Sequence, residues 1–192
     1  MTAYRTISST PPAAIPEPGT VVFITGLPSS GKSKLAKNLR TELGARGVRA
    51  LVLDGDEVRE TLVPRPGYSE TERERFYEFL GNLAAALARQ GLCVLIAATA
   101  HRRAFREHAR RVAPRFLEVW VDVPIDECRR RDKKGLDARF RSGGLHGVPG
   151  EDVQYEAPEQ PDTIATGGND TAAIQAVTAR LTLPSFADPA HP

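Results

Sequence analysis

Cysteine is the first scarcity: the 192-residue chain holds two, Cys93 and Cys128, in no CxxC pattern and with no histidine at ligand spacing. This excludes a disulfide scaffold and a structural zinc site, and it fits a reducing cytoplasm. The four histidines, His101, His108, His146 and His191, show no metal-ligand spacing among themselves. Long apolar runs are also missing; none approaches the ~20 residues that cross a bilayer, so no membrane partner is expected. The proline-rich N-terminus lacks the basic start and apolar core of a secretion signal and is expected to be a loose tail. Charge of one sign is scarce as well. A net +2 at pH 7 gives no general affinity for polyanions, so nucleic acid is not an expected partner.

What is present is ordinary for a globular chain, with 41% hydrophobic and 26% charged residues, enough for one domain with a substantial core. Against that background one octapeptide stands out: Gly26-Leu27-Pro28-Ser29-Ser30-Gly31-Lys32-Ser33. It follows the apolar run Val21-Val22-Phe23-Ile24-Thr25 and opens a helical segment. Strand, glycine loop and helix in that order are the setting of a phosphate-binding loop. Glycines let successive backbone N–H groups turn on an anion, and the helix adds the positive end of its dipole. The expected nucleotide contacts are Gly26, Ser29, Ser30, Gly31, Lys32, Ser33 and Lys34, with Lys32 reaching the β- and γ-phosphates. ATP and Mg²⁺ are the cofactors implied, the Ser33 hydroxyl serving as a metal ligand.

Four apolar runs, at 21–25, 50–53, 92–98 and 116–121, are separated by helical stretches and predict buried parallel strands. Residues 162–165 add a short fifth. The expected fold is α/β, a doubly wound, mostly parallel sheet with flanking helices, as in phosphate-loop kinases. Trp120, inside the fourth run, is expected in the core. Residues 1–19 and 184–192 are expected to be flexible tails around a kinase domain at 20–183. Within it, 133–158 is rich in glycine, proline and charge and reads as a lid with a short helical piece near 136–141.

A second constellation follows the second strand: Asp54-Gly55-Asp56-Glu57-Val58-Arg59. Carboxylates at the end of a parallel strand face the crevice where α/β proteins bind ligands. Of Asp54 and Asp56, one could hold the Mg²⁺ water shell and the other accept a proton from an acceptor hydroxyl as it attacks. Arg59 could pair with an anionic acceptor. The alternative is an acidic turn in which an aspartate caps a helix. A third element, Arg129-Arg130-Arg131-Asp132-Lys133-Lys134, could close over the triphosphate, although charge runs commonly face solvent.

In this order the motifs resemble the adenylylsulfate (APS) kinase family, which transfers the ATP γ-phosphate to the 3′-hydroxyl of APS. The resemblance runs from about Thr20 to Ala165. It rests on the phosphate loop, Leu53-Asp54-Gly55-Asp56-x-Val58-Arg59, Gly67-Tyr68-Ser69 and Leu117-Glu118-Val119-Trp120-Val121-Asp122. Further along it includes Cys128-x-x-Arg131-Asp132-x-Lys134-Gly135-Leu136 and Tyr155-Glu156-Ala157-Pro158-Glu159. It implies Lys32, Asp54, Asp56 and Lys134 as catalytic residues, and Arg131 with Ala157 near the ATP adenine. Asp56, Arg59, Tyr68, Arg73, Phe76, Thr99, Lys134 and Val148 are implied as acceptor contacts, and the family's habit suggests a homodimer.

The chain departs from the family on the acceptor side. Phe76-Tyr77-Glu78-Phe79 replaces Asn-Ile-Arg-Arg, and Ala98-Thr99-Ala100-His101 replaces Phe-Ile-Ser-Pro. Glu57 replaces an asparagine. Val148 replaces the lid phenylalanine that stacks on the APS adenine, with Pro149 after it in place of threonine. Phe76 or Tyr77 could supply a replacement platform or pack in the core, and His101 could touch the acceptor or cap the strand. Three readings stay open: an APS kinase, a kinase for another small hydroxyl metabolite, and a nucleotide-binding protein without catalysis.

Overall fold

The computed structural model describes residues 17–132, 135, 139–140, 142–144 and 146–182. Five strands form one parallel sheet: β1 Val21–Gly26, β2 Ala50–Asp54, β3 Cys93–Ala97, β4 Phe116–Val121 and β5 Thr163–Ala165. Their order is β2-β3-β1-β4-β5. The unbroken burial of β1 follows from its central place, because a strand covered on both faces needs no polar alternation. Strand parity then divides the core in two. On one face Val22 and Ile24 pack with Leu35, Leu39 and Leu43 of helix α1, Lys32–Ala45. On the other, Val21 and Phe23 pack with Phe76, Leu80 and Ala84 of helix α3, Glu70–Ala88. Helix α4, Arg103–Val112, joins the α3 face through Phe105 and Ala109. Cys128 of α5, Ile125–Arg130, and Val177 of α6, Thr171–Thr182, join the α1 face.

The five strands occupy the expected runs. Two details differ. Residues 55–61 form a short helix, α2, Gly55–Thr61, capped by Asp54, so the aspartate-capped turn that the sequence left open is real. Trp120 is only half-buried, because parity puts it on the face of β4 that carries Glu118, where arginines of α4 provide the cover.

That cover is an ionic cluster. Glu118 accepts from Arg106 Nε at 2.7 Å and from Arg110 Nη2 at 3.1 Å, and Arg106 is 2% exposed. Glu118→Ala would strand the buried guanidinium and is expected to cost about 3–5 kcal/mol of unfolding free energy. Urea denaturation checks this; a loss below ~1 kcal/mol would mean that backbone carbonyls alone satisfy Arg106.

Candidate active site

Helix α1 starts against ordinary preference. Its N-cap is Gly31 at φ 105°, no side chain caps it, and its first turn holds Lys32 and Lys34 but no acid. By contrast, α2 has an aspartate cap and acids in its first turn, and α3 a full capping box formed by Ser69 and Glu72. Cations at the positive end of a helix dipole each cost roughly 0.3–1 kcal/mol, a cost that a bound anion reverses. Ser30 Oγ, in the same loop, is buried without a hydrogen-bond partner among the described residues. A Cβ on Gly31 would lie 2.7 Å from Gly168 N, so glycine is required where this loop meets residues 167–168. Lys32 Nζ donates to Leu27 O at 2.6 Å. Orphaned hydroxyl, uncapped helix and paired lysines fit a nucleotide phosphate. Ser33 and Asp54 offer the oxygen ligands that magnesium takes.

Asp54 is buried at the end of β2, and its Oδ1 accepts the Asp56 N–H at 3.0 Å. That bond starts α2 and carries Asp56 out on an exposed first turn. An exposed ion pair, Lys37 to Glu57 at 3.8 Å, spans α1 and the start of α2. The two carboxylates therefore differ in setting: Asp54 is fixed in the strand end and Asp56 is presented to solvent.

The expected acceptor contacts Arg59, Tyr68 and Arg73 come together. Glu72 builds their frame by accepting from Gly67 N, Ser69 N and Ser69 Oγ, and these bonds hold its carboxyl below the usual range. Arg59 is 3% exposed; it donates to Gly67 O at 2.6 Å and lies over the Phe76 ring at 3.8 Å and the Tyr68 ring at 4.7 Å. Arg73, 7% exposed, donates to Tyr68 O and to Gly147 O. Burial, with Arg59 nearby, pulls the Arg73 pKa down. Backbone carbonyls and aromatic faces hold both cations; neither forms a salt bridge to a carboxylate among the described residues. Two buried like charges so arranged attract an anion.

Other expectations fare differently. Phe76 is not an open platform: it is 3% exposed with Arg59 across its face. Tyr77 is buried too, so core packing accounts for both rings. Tyr68, 54% exposed, keeps an accessible ring. Val148 is buried and lines a cleft with Pro28, Ser29 and Arg129, turned toward the phosphate loop. Thr99 lies at the end of β3, with its carbonyl taken by Thr25 Oγ1. Ala157 does not join Arg131: its carbonyl accepts from Arg103 on α4, whereas Arg131 lies near Gly167, beside the phosphate loop. The chain returning from the lid crosses α4 before entering β5, which carries Ala157 to the other face of the sheet. Lys134 lies outside the described residues.

Of the basic run, Arg129 is clamped to Glu151 by two bonds of 2.9 and 2.8 Å, while Arg130 faces solvent. His101 is buried, and desolvation, reinforced by Arg73 and Arg102, lowers its pKa to about 4 and keeps it neutral at physiological pH. Sequence reasoning missed the Gly167-Gly168 contact with the loop, although two glycines after the last strand signal a tight connection. It named Tyr155 only within the family motif and gave no role to its hydroxyl, which meets Thr25 Oγ1 at 3.0 Å at the end of β1.

The family model described as adenylylsulphate kinase matches residues 18–166. The chain belongs to the adenylylsulphate kinase family. An adenylyl-sulfate kinase from a Synechococcus strain is 40% identical over 146 residues, 76% of this chain and 83% of that one. A probable bifunctional SAT/APS kinase 2 from Sorangium cellulosum is also 40% identical, over 153 residues; the match takes 80% of this chain but only 26% of that longer protein. Among solved structures, Mycobacterium tuberculosis APS kinase, in complex with AMPPNP and APS, aligns with a TM-score of 0.78 at 34% identity, over 86% of this family member and 97% of that chain.

Proposed function

We infer that the protein transfers the γ-phosphoryl group of Mg·ATP to the 3′-hydroxyl of adenylyl sulfate, giving 3′-phosphoadenylyl sulfate (PAPS) and ADP. The observation that carries the acceptor is the pair of buried guanidiniums, Arg59 and Arg73, in no salt bridge to a carboxylate among the described residues and set beside the exposed Tyr68 ring. An anionic acceptor offsets that desolvated charge more fully than a neutral one.

In this reading Lys32 exchanges the Leu27 carbonyl for the β- and γ-phosphates, joined by the backbone N–H groups of the loop and Ser30 Oγ. Magnesium, held through Ser33 and Asp54 when bound, neutralises charge on the phosphate oxygens. Arg59 and Arg73 hold the acceptor anion while Tyr68 stacks on its base. Asp56 takes the hydroxyl proton as the new O–P bond forms and the bond from phosphorus to the ADP oxygen breaks. The arm at 147–153 packs on the loop through Val148 and is tied to Arg73 through Gly147, so it can keep water from the reacting phosphate.

Residues 20–183 form the proposed kinase unit. A cytoplasmic setting rests on the two buried free thiols, and a homodimer on family habit alone.

An ADP-release assay across an acceptor panel that includes APS tests the reading, with PAPS identified directly. Arg73→Ala is expected to raise the KM for APS by roughly tenfold to a hundredfold, the equivalent of a hydrogen bond to a charged group, with the ATP KM nearly unchanged. No PAPS at millimolar APS, from protein that still binds ATP, would overturn it. One observation favours a different anionic hydroxyl compound as acceptor: Val148 and Phe76 are both buried, leaving Tyr68 as the accessible ring of that wall.

A further inference from the structure

Two non-glycine residues among those described have left-handed backbones, Ser29 at φ 61° and Ala100 at φ 39°. Such a conformation costs an L-residue about 1–2 kcal/mol and persists only where its surroundings over-determine it. Ser29 is in the phosphate loop. Ala100 is in the turn that follows β3, next to Thr99 on the acceptor side.

This turn is pinned at each peptide. The Ala100 N–H donates to Tyr77 Oη at 3.1 Å, and the Ala100 carbonyl accepts from Arg106 Nη1 at 2.6 Å. Thr25 Oγ1 donates to the Thr99 carbonyl at 2.7 Å, and the Glu156 N–H donates to the His101 carbonyl at 2.8 Å. The Tyr77 ring stacks on Phe105 at 4.8 Å, and Phe105 meets the His101 ring edge-on at 5.5 Å. Arg106 also donates to Glu156 O at 2.7 Å, so one guanidinium holds the turn and the returning lid arm together. Tyr77 and Arg106 are 6% and 2% exposed. Tyr77 and the turn are also two of the places where the chain leaves the family pattern, and here they are bonded to each other.

We propose that Tyr77 and Arg106 are positioning residues that lock Ala100 in its left-handed conformation and thereby set the shape of the acceptor wall. The proposal rests on the reading of this site as a small-molecule kinase whose acceptor passes Thr99. Neither side chain needs to touch the acceptor. Tyr77 supplies a neutral hydroxyl to a backbone donor that would otherwise be buried and unsatisfied. Arg106 supplies a planar fork that bridges two carbonyls and a carboxylate, a geometry that a lysine ammonium cannot copy.

The test uses the full chain with Tyr77→Phe, which removes one oxygen, and Arg106→Lys, which keeps the charge beside Glu118. Each is expected to raise the KM for APS about fivefold to tenfold, with the ATP KM and the kcat at saturation unchanged. Hydrogen exchange at the Ala100 amide should accelerate by a similar factor in both variants, while the peptide covering 26–33 keeps its parent rate. Ala100→Gly in the Tyr77→Phe background should restore the parent KM, because glycine adopts this backbone without strain. A merely structural loss would lower thermal stability without that rescue. Parent exchange at Ala100, or an equal rise in both KM values, overturns the proposal. Should the parent itself make no PAPS, the acceptor assignment fails and the exchange measurement still decides the lock.

Discussion

Lys32→Ala will remove phosphoryl transfer and leave the fold standing. The expected fall in kcat is at least ~10²–10³-fold, the scale for one donor aimed at developing charge. Stability should barely move, for reasons visible at the start of α1. Lys32 places a cation at the positive end of the helix, which costs roughly 0.3–1 kcal/mol without an anion. Its bond to Leu27 O contributes about the same amount in the other direction. Alanine is also the best helix former for that position. The two measurements are turnover by ADP release and the midpoint of thermal unfolding. A folded variant that turns over at the parent's rate would place the chemistry elsewhere.

The reason this site was legible in the sequence is local. A phosphate loop needs a strand, eight residues and a helix in unbroken succession, so neighbours in sequence are neighbours in space. The sheet was legible for a related reason: strands buried on both faces are continuous apolar runs, and Val21-Val22-Phe23-Ile24 can be little else. Legibility fails where contacts come from far along the chain. Phe76 lies on the buried stripe of α3, and no periodicity says whether a ring at that position is open or covered by a guanidinium from α2. Ala157 belongs to a motif that was read as nucleotide-binding. Its place is set by Arg103 and Arg106, some fifty residues earlier, which draw 156–157 onto α4. The seven-residue α2 is too short to show an apolar period, although Asp54-Gly55-Asp56 was recognisable as a cap. The lock on Ala100 was hidden because a left-handed alanine has no sequence signature. Only the convergence of Tyr77, Arg106 and Glu156 reveals it.

Asp56→Asn separates the roles of the two carboxylates more sharply than any other single change. The substitution keeps the size of the side chain and leaves the backbone N–H that bonds Asp54 Oδ1, so α2 and its cap should survive. What it removes is a negative charge on the exposed first turn, where an acceptor hydroxyl can approach. If Asp56 takes the proton, kcat should fall by ~10²–10⁴-fold, the usual contribution of a general base, while the affinity for Mg·ATP stays close to the parent's. The split follows from timing: the proton moves only as the acceptor attacks, so the ground-state nucleotide complex does not depend on it. Asp54→Asn provides the contrast. Buried at the strand end and paired with the start of α2, it should weaken Mg·ATP binding and turnover together, because the metal is present in the ground state and the transition state alike. Calorimetric titration with Mg·ATP and single-turnover rates on both variants give the four numbers required. If Asp56→Asn lost nucleotide affinity and rate in equal measure, Asp56 would be the metal-side carboxylate and the two assignments would exchange.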